Sequence, residues 1–174
     1  MHPSQILVAY ITRAGYTRRV ATAIAQRLRE QGHEVDLADL ELAIRHPEQY
    51  DAVVLGCATR FGHPADAMAR FVHKHRRALA TRPTGYFSVD GTDDARAHLD
   101  AWLQQTAWRP TRVLTVPGIR GARLRKALEW LQDRLDATSI KHVQAPTDWE
   151  RVRAFADDIA RLVAPAPSVR QASP

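Results

Sequence analysis

Apolar residues come along this chain in two alternating rhythms, short continuous runs and helical stripes. The first run, ILVAYI at 6–11, stops at Thr12. In residues 17–31 that follow, Val20, Ala21, Ile24, Ala25 and Leu28 recur at helical spacing, while Arg18, Arg19, Gln26, Arg27 and Arg29 fill the other face. Strand, tight loop and helix are expected in that order. After Gly32, Val35 and Leu37 alternate with Glu34 and Asp36 across 33–40, the pattern of a half-exposed strand near a sheet edge. The segment DAVVLGCA at 51–58 is apolar almost throughout and reads as a central strand covered on both faces. A loop, TRFGHP at 59–64, then leads to a helix from about Ala65 to Leu79 that carries Met68, Phe71 and Val72 on one side. A fourth strand is expected at 84–91, a helix with Leu99, Trp102 and Leu103 at 93–107, and a fifth strand at 112–118.

The last helix is marked by TDWE, in which Thr147 as N-cap and Glu150 three residues later form a capping box ahead of Val152, Phe155, Ala156, Ile159 and Leu162. Residues 119–146 do not fit a minimal count. They contain a helical stripe of Leu124, Leu128, Leu131 and Leu135 and read as an insertion that interrupts the fifth strand. Strands alternating with helices imply an α/β architecture with a parallel sheet covered on both faces. Residues 1–164 are expected to form one domain, and 165–174, PAPSVRQASP, a disordered tail.

Charge adds a bias toward anionic partners. Among 174 residues, 25 Lys and Arg face 19 Asp and Glu, a formal net charge of +6. Phosphorylated ligands, a bilayer surface and nucleic acid are all favoured by that balance, as is a merely solvated basic surface. No nucleic-acid motif accompanies the basic stretch His73–Arg77, so a nucleic-acid partner is not expected. The single cysteine, Cys57, excludes an internal disulfide framework and a clustered-thiolate metal site, and no metal is expected. The residues MHPSQ lead into an apolar run too short for a membrane span and without a cleavage signal. A cytoplasmic protein is expected, meeting a membrane, if at all, from its inner surface.

The chemistry concentrates after the first strand. In an open parallel sheet, a loop running into a helix N-terminus at the carboxyl end of a strand offers N–H groups and a positive dipole end to an anion. TRAGYT, Thr12 to Thr17, holds that place, with Gly15 free to take positive φ and the Thr12 and Thr17 hydroxyls able to donate. There is no Gly-Lys-Ser/Thr and no Gly-x-Gly-x-x-Gly, which argues against ATP and dinucleotides. A plain turn with Thr17 as N-cap suits the loop equally well when it is taken alone.

Two further segments change that balance. TRAGYT resembles the phosphate loop of flavodoxin-like proteins, Thr/Ser-x-Thr/Ser-Gly-x-Thr, which cradles FMN. GCATRFGH at 56–63 and YFSVDG at 86–91 lie where the fold's other two flavin-contacting loops follow their strands. Together with WRP at 108–110 and TDWERVRAFADDIA at 147–160, these stretches resemble the bacterial quinone-dependent protoporphyrinogen IX oxidase family over residues 5 to about 163. Position 14 departs from the phosphate-loop pattern by being alanine.

The resemblance implies a flavodoxin-like three-layer sandwich, its five-stranded parallel sheet in order 2-1-3-4-5. It implies noncovalent FMN, protoporphyrinogen IX as electron donor, and a quinone, menaquinone or ubiquinone, as acceptor in haem biosynthesis. It also implies contact with an anionic membrane and admits a homo-oligomer. The cofactor-binding residues it implies are Thr12, Arg13, Ala14, Gly15, Tyr16 and Thr17, then Ala58, Thr59, Arg60, Phe61 and Gly62, then Ser88, Val89, Asp90 and Gly91. Arg60 and His63 are the catalytic candidates, because a histidine titrates near neutral pH and both residues fall in the loop that passes the flavin ring. Two alternatives stay open: a flavodoxin-type electron carrier or quinone reductase, and a flavin-free flavodoxin-like binding module. Phe61 and Tyr86 are candidates for stacking on the ring and equally for the core. Cys57 reads as an inert buried thiol.

Overall fold

Each apolar run becomes a strand of one sheet, and each helical stripe packs on one of its faces. The structure is a computed structural model that describes residues 3–13, 15–60, 63–118 and 148–163. Its elements are β1 (Gln5–Ile11), α1 (Tyr16–Glu30), β2 (Glu34–Asp39), a single 3-10 turn (Pro47–Gln49), β3 (Ala52–Arg60), β4 (His63–Pro64), α2 (Asp66–Lys74), α3 (Arg76–Ala80), β5 (Thr84–Asp90), α4 (Ala95–Thr106), β6 (Arg112–Pro117) and α5 (Trp149–Val163). The main strands run parallel in the order β2-β1-β3-β5-β6, with the short β4 paired only to β3. Leaving β4 aside, this is the expected 2-1-3-4-5.

Alternation along the strands divides the core in two. Ile6, Val8, Tyr10, Val54, Phe87, Val89, Leu114 and Val116 face α1 and α5, where Val20, Ile24, Leu28, Val152, Phe155 and Ile159 complete one layer. Leu7, Ala9, Ile11, Val53, Leu55, Cys57 and Tyr86 face the opposite way and meet Met68, Val72, Leu79, Leu99, Trp102 and Trp108. The central strands are apolar throughout because both faces are covered. Tyr86 stacks on Trp102 with ring centroids 4.8 Å apart, and Trp108 meets both rings edge-on. Tyr86 is thereby placed in the core, not at the loops.

α1 ends in a Schellman motif. Gly32 takes φ +87°, its N–H bonds to Arg29 O at 2.9 Å, and the His33 N–H bonds to Leu28 O at 3.2 Å. The glycine seen in the sequence is what lets the chain leave the helix and enter edge strand β2.

Three expectations shift. The helix expected over 65–79 is two, α2 and α3, joined at His75. That residue turns inward against the Phe71 ring at 4.7 Å and places Nδ1 3.6 Å from Glu48, so tertiary contacts override helical continuity. The loop expected at 59–64 is in part a hairpin: Thr59 pairs with Pro64 and Arg60 with His63. β3 outruns β5 after Ala58, and the returning chain supplies partners for its last backbone groups. The cap of the last helix sits one residue later than expected, at Asp148, whose carboxylate accepts the Arg151 N–H at 3.1 Å. Thr147, the insertion at 119–146 and the tail from 165 lie outside the described residues.

Candidate functional site

All the parallel strands end at one edge of the sheet, and chain order departs in opposite directions on either side of β1 and β3. Loops leaving the two neighbouring strands therefore diverge and leave a crevice at that edge. Three of them carry the residues singled out from the sequence.

In the first loop, Gly15 takes φ +79° and ψ −14° at the N-cap of α1, and its N–H bonds to Thr12 Oγ1 at 3.0 Å. The Gly15 carbonyl starts the helix by accepting from Arg19 N at 3.1 Å. Thr12 thus closes the loop as an acceptor and keeps its own hydroxyl hydrogen to donate. No side-chain hydrogen bond caps α1, which leaves the N-terminus of a fifteen-residue helix facing the crevice, a natural place for an anion. Thr17 is not the N-cap; it is buried in the first turn. Arg13 is exposed and Tyr16 buried, and Ala14 lies outside the described residues.

The second loop contributes Ala58, exposed, and Thr59, half-buried, whose hydroxyl donates to Val89 O at 3.3 Å and so ties this loop to the end of β5. Arg60 and His63 stand opposite each other in the β3–β4 hairpin, and His63 is exposed. The side chain of Arg60, and Phe61 and Gly62 altogether, lie outside the described residues. Cys57 just below is 1% exposed and burial pushes its thiol up to about 11, which makes it inert at neutral pH.

The third loop is the most elaborated. Ser88 and Val89 are buried within β5, and Ser88 Oγ has no hydrogen-bond partner among the described residues. Asp90 ends the strand with a side chain only 1% exposed. Its Oδ1 accepts from Thr92 N at 2.8 Å and Thr92 Oγ1 at 2.7 Å, and its Oδ2 lies 3.2 Å from His98 Nδ1. Burial alone would push this carboxyl up. Hydrogen bonds from Thr59, Thr92 and His98 outweigh it and hold the group below the usual aspartate range, so it is a carboxylate at neutral pH. The Asp90 carbonyl accepts from Gly118 N at 2.8 Å, which ties the loop to the exit of β6 and the start of the 119–146 segment.

Thr92, His98 and Gly118 were not legible as site residues. His98 lies on α4 eight positions from its partner, in a stretch whose pattern shows only Leu99, Trp102 and Leu103 as a core stripe. No local spacing rule links it to Asp90.

The residues present suit a flavin phosphate at the first loop: a helix N-terminus without a side-chain cap among the described residues, a glycine at positive φ and the Thr12 hydroxyl. Candidate chemistry at this edge is anion binding at α1 and proton handling at the Asp90–His98 pair.

Comparison with known proteins agrees with this anatomy. A flavodoxin domain family model matches residues 7–149. The chain is 31% identical over 172 residues to the protoporphyrinogen IX dehydrogenase (quinone) of Escherichia coli strain K12, an alignment covering 90% of this chain and 94% of that one. It is 27% identical over 177 residues to the enzyme of the same name from Leishmania major, covering 90% of this chain and 74% of that protein. Among solved structures, oxidised flavodoxin 1 from Bacillus cereus superposes with a TM-score of 0.60 at 18% identity, covering 91% of this chain and 98% of the flavodoxin. The chain belongs to the flavodoxin domain family, and within it to the group that contains the E. coli protoporphyrinogen IX dehydrogenase (quinone).

Proposed function

We propose that this chain is an FMN-dependent oxidoreductase that converts protoporphyrinogen IX to protoporphyrin IX with a quinone as electron acceptor. The observation that carries the reading is the anion-ready first loop, Gly15 at positive φ ahead of an uncapped α1, in a chain alignable almost end to end with the E. coli dehydrogenase. Thr12 and the first turn of α1 would hold the FMN phosphate, while Ala58, Thr59 and the backbone at Asp90 and Gly91 would border the ring. Bound flavin supplies two-electron acceptance and donation. The protein's share is to bind and orient both reactants, keep the charged loop dry, and handle protons.

Six hydrogens leave the porphyrinogen, so three two-electron rounds are required, each closed by one quinone. The acceptor's home suggests where the protein works. Leu42 and Ile44 are 86% and 79% exposed on the segment that follows β2, at the same edge of the sheet as the three loops. Two large apolar side chains beside the crevice, on a cationic protein, suit shallow contact with an anionic bilayer that delivers the quinone. Among the described residues no helix is long and apolar enough to cross a membrane.

The test is anaerobic turnover. FMN-loaded protein mixed with protoporphyrinogen IX should develop porphyrin fluorescence only when a quinone is added. Fluorescence that ignores quinone, or that fails to appear while the flavin is reduced by other donors, contradicts the substrate assignment and moves the chain to the electron-carrier reading.

A further inference from the structure

Two histidines approach this edge of the sheet, and their surroundings differ. His63 is exposed on the short β4, with no carboxylate partner among the described residues. His98 is 31% exposed and leans its Nδ1 on a carboxylate that is 1% exposed. Asp90 cannot shift to suit it, because its other oxygen is held by Thr92 and its carbonyl by Gly118. With the Asp90 carboxylate at 3.2 Å and Thr92 Oγ1, whose hydrogen goes to Asp90, at 3.3 Å, Nδ1 faces two acceptors and carries the proton, which leaves the Nε2 lone pair without a partner among the described residues.

We propose that His98 is the proton-transfer residue of this site and Asp90 its positioning residue. The inference rests on the dehydrogenase reading above. In each round a donor SH2 gives up two electrons and two protons, one of the protons passing to His98 Nε2; bound FMN would supply the two-electron acceptance and donation, and the quinone Q leaves as the quinol with both electrons and both protons, one of them returned from His98. The sum is SH2 + Q giving S + QH2, and the imidazole ends neutral. An imidazolium formed on the way sits against the Asp90 carboxylate, the same support by which a buried aspartate aids a histidine base in hydrolases.

Other ionisable groups are placed to be considered. The elements packed on α4 carry His63 on β4, Asp66, Arg70, His73 and Lys74 on α2, and Arg112 on β6. None of them forms an ion pair with His98 among the described residues, and Asp90 is the one carboxylate there within hydrogen-bonding distance of its ring.

The experiment compares the wild type with His98→Gln and Asp90→Asn. In the flavin-free protein, nitrogen–proton correlation spectra should show the His98 ring protonated on Nδ1, and Asp90→Asn should mix the tautomers. With FMN loaded, His98→Gln should keep FMN affinity within about twofold and lose about a hundredfold in porphyrinogen turnover, with the acid limb of the pH–rate profile removed. A wild-type ring protonated on Nε2, or a His98→Gln enzyme with native turnover and an unchanged pH profile, overturns the proton-transfer role and leaves the dehydrogenase reading standing. A wild type that binds FMN but never oxidises porphyrinogen overturns that reading and, with it, this role.

Discussion

Besides Gly32, Ala107 and Gly15 hold left-handed backbone, and substitution separates the two. Ala107 ends α4 at φ +52°, a conformation in which its Cβ costs about 1 kcal/mol. Ala107→Gly should therefore raise stability by about that amount, read as a rise of a few degrees in the thermal midpoint, with no effect on ligand binding. Gly15 is the counterpart in the proposed FMN site. A Cβ built there meets nothing within 4 Å, so space is not what demands glycine; φ +79° is. Gly15→Val should force the loop out of its conformation and weaken FMN binding by about ten- to a hundredfold, from a strain of about 1–3 kcal/mol. Equilibrium titration of the variant with FMN checks this, and native affinity would show that the loop does not form the cradle. The positive φ of Gly15 was legible in the sequence because glycine is the residue type that takes that backbone freely. The sequence was silent on His98, whose importance lies in a contact across a loop.

The helices on one face of the sheet are locked by an ion pair between α1 and α5. Arg27 Nε bonds Asp157 Oδ1 at 2.7 Å and its Nη2 bonds Oδ2 at 3.3 Å, a two-pronged contact that Gln31 joins from the next turn. The Arg27 hydrogen bond and charge hold the Asp157 carboxyl below its ordinary 3.8. A depressed folded-state value means the stabilisation is complete above the unfolded pKa and is lost as pH falls through the folded one. Asp157→Asn should therefore lower the thermal midpoint at neutral pH, and the gap to wild type should shrink as pH falls below the ordinary aspartate range; a gap that stays constant into acid contradicts the ionic origin. Such long-range pairs are invisible in the sequence, whereas the elements they join were plain in it. The strands were legible because their burial on both faces makes continuous apolar runs, and α1 because its stripe and Gly32 agree. The division of α2 from α3 was not, since it depends on His75 meeting Phe71 and Glu48. The β3–β4 hairpin was hidden by its Gly and Pro, which signal a loop as readily as a two-residue strand. Asp148 lost the cap to Thr147 on paper because both residues are good caps and only the backbone decides between them.

At the scale of the whole molecule, the Gly15 loop, the Asp90–His98 pair and the segment that carries the exposed Leu42 and Ile44 all follow strands that end at the same edge of the parallel sheet. The formal charge of +6 biases the chain toward anionic surfaces. Replacing Leu42 and Ile44 together by serine should reduce flotation with anionic vesicles severalfold and leave turnover with a soluble short-chain quinone intact. Equal flotation would place membrane contact elsewhere. The proposed chemistry depends on FMN being held at the first loop. The most direct test is titration of flavin-free protein with FMN, followed by the quenching of flavin fluorescence. Saturable one-to-one binding that phosphate-free riboflavin cannot match is the predicted result; no binding, or equal affinity for riboflavin, would contradict it.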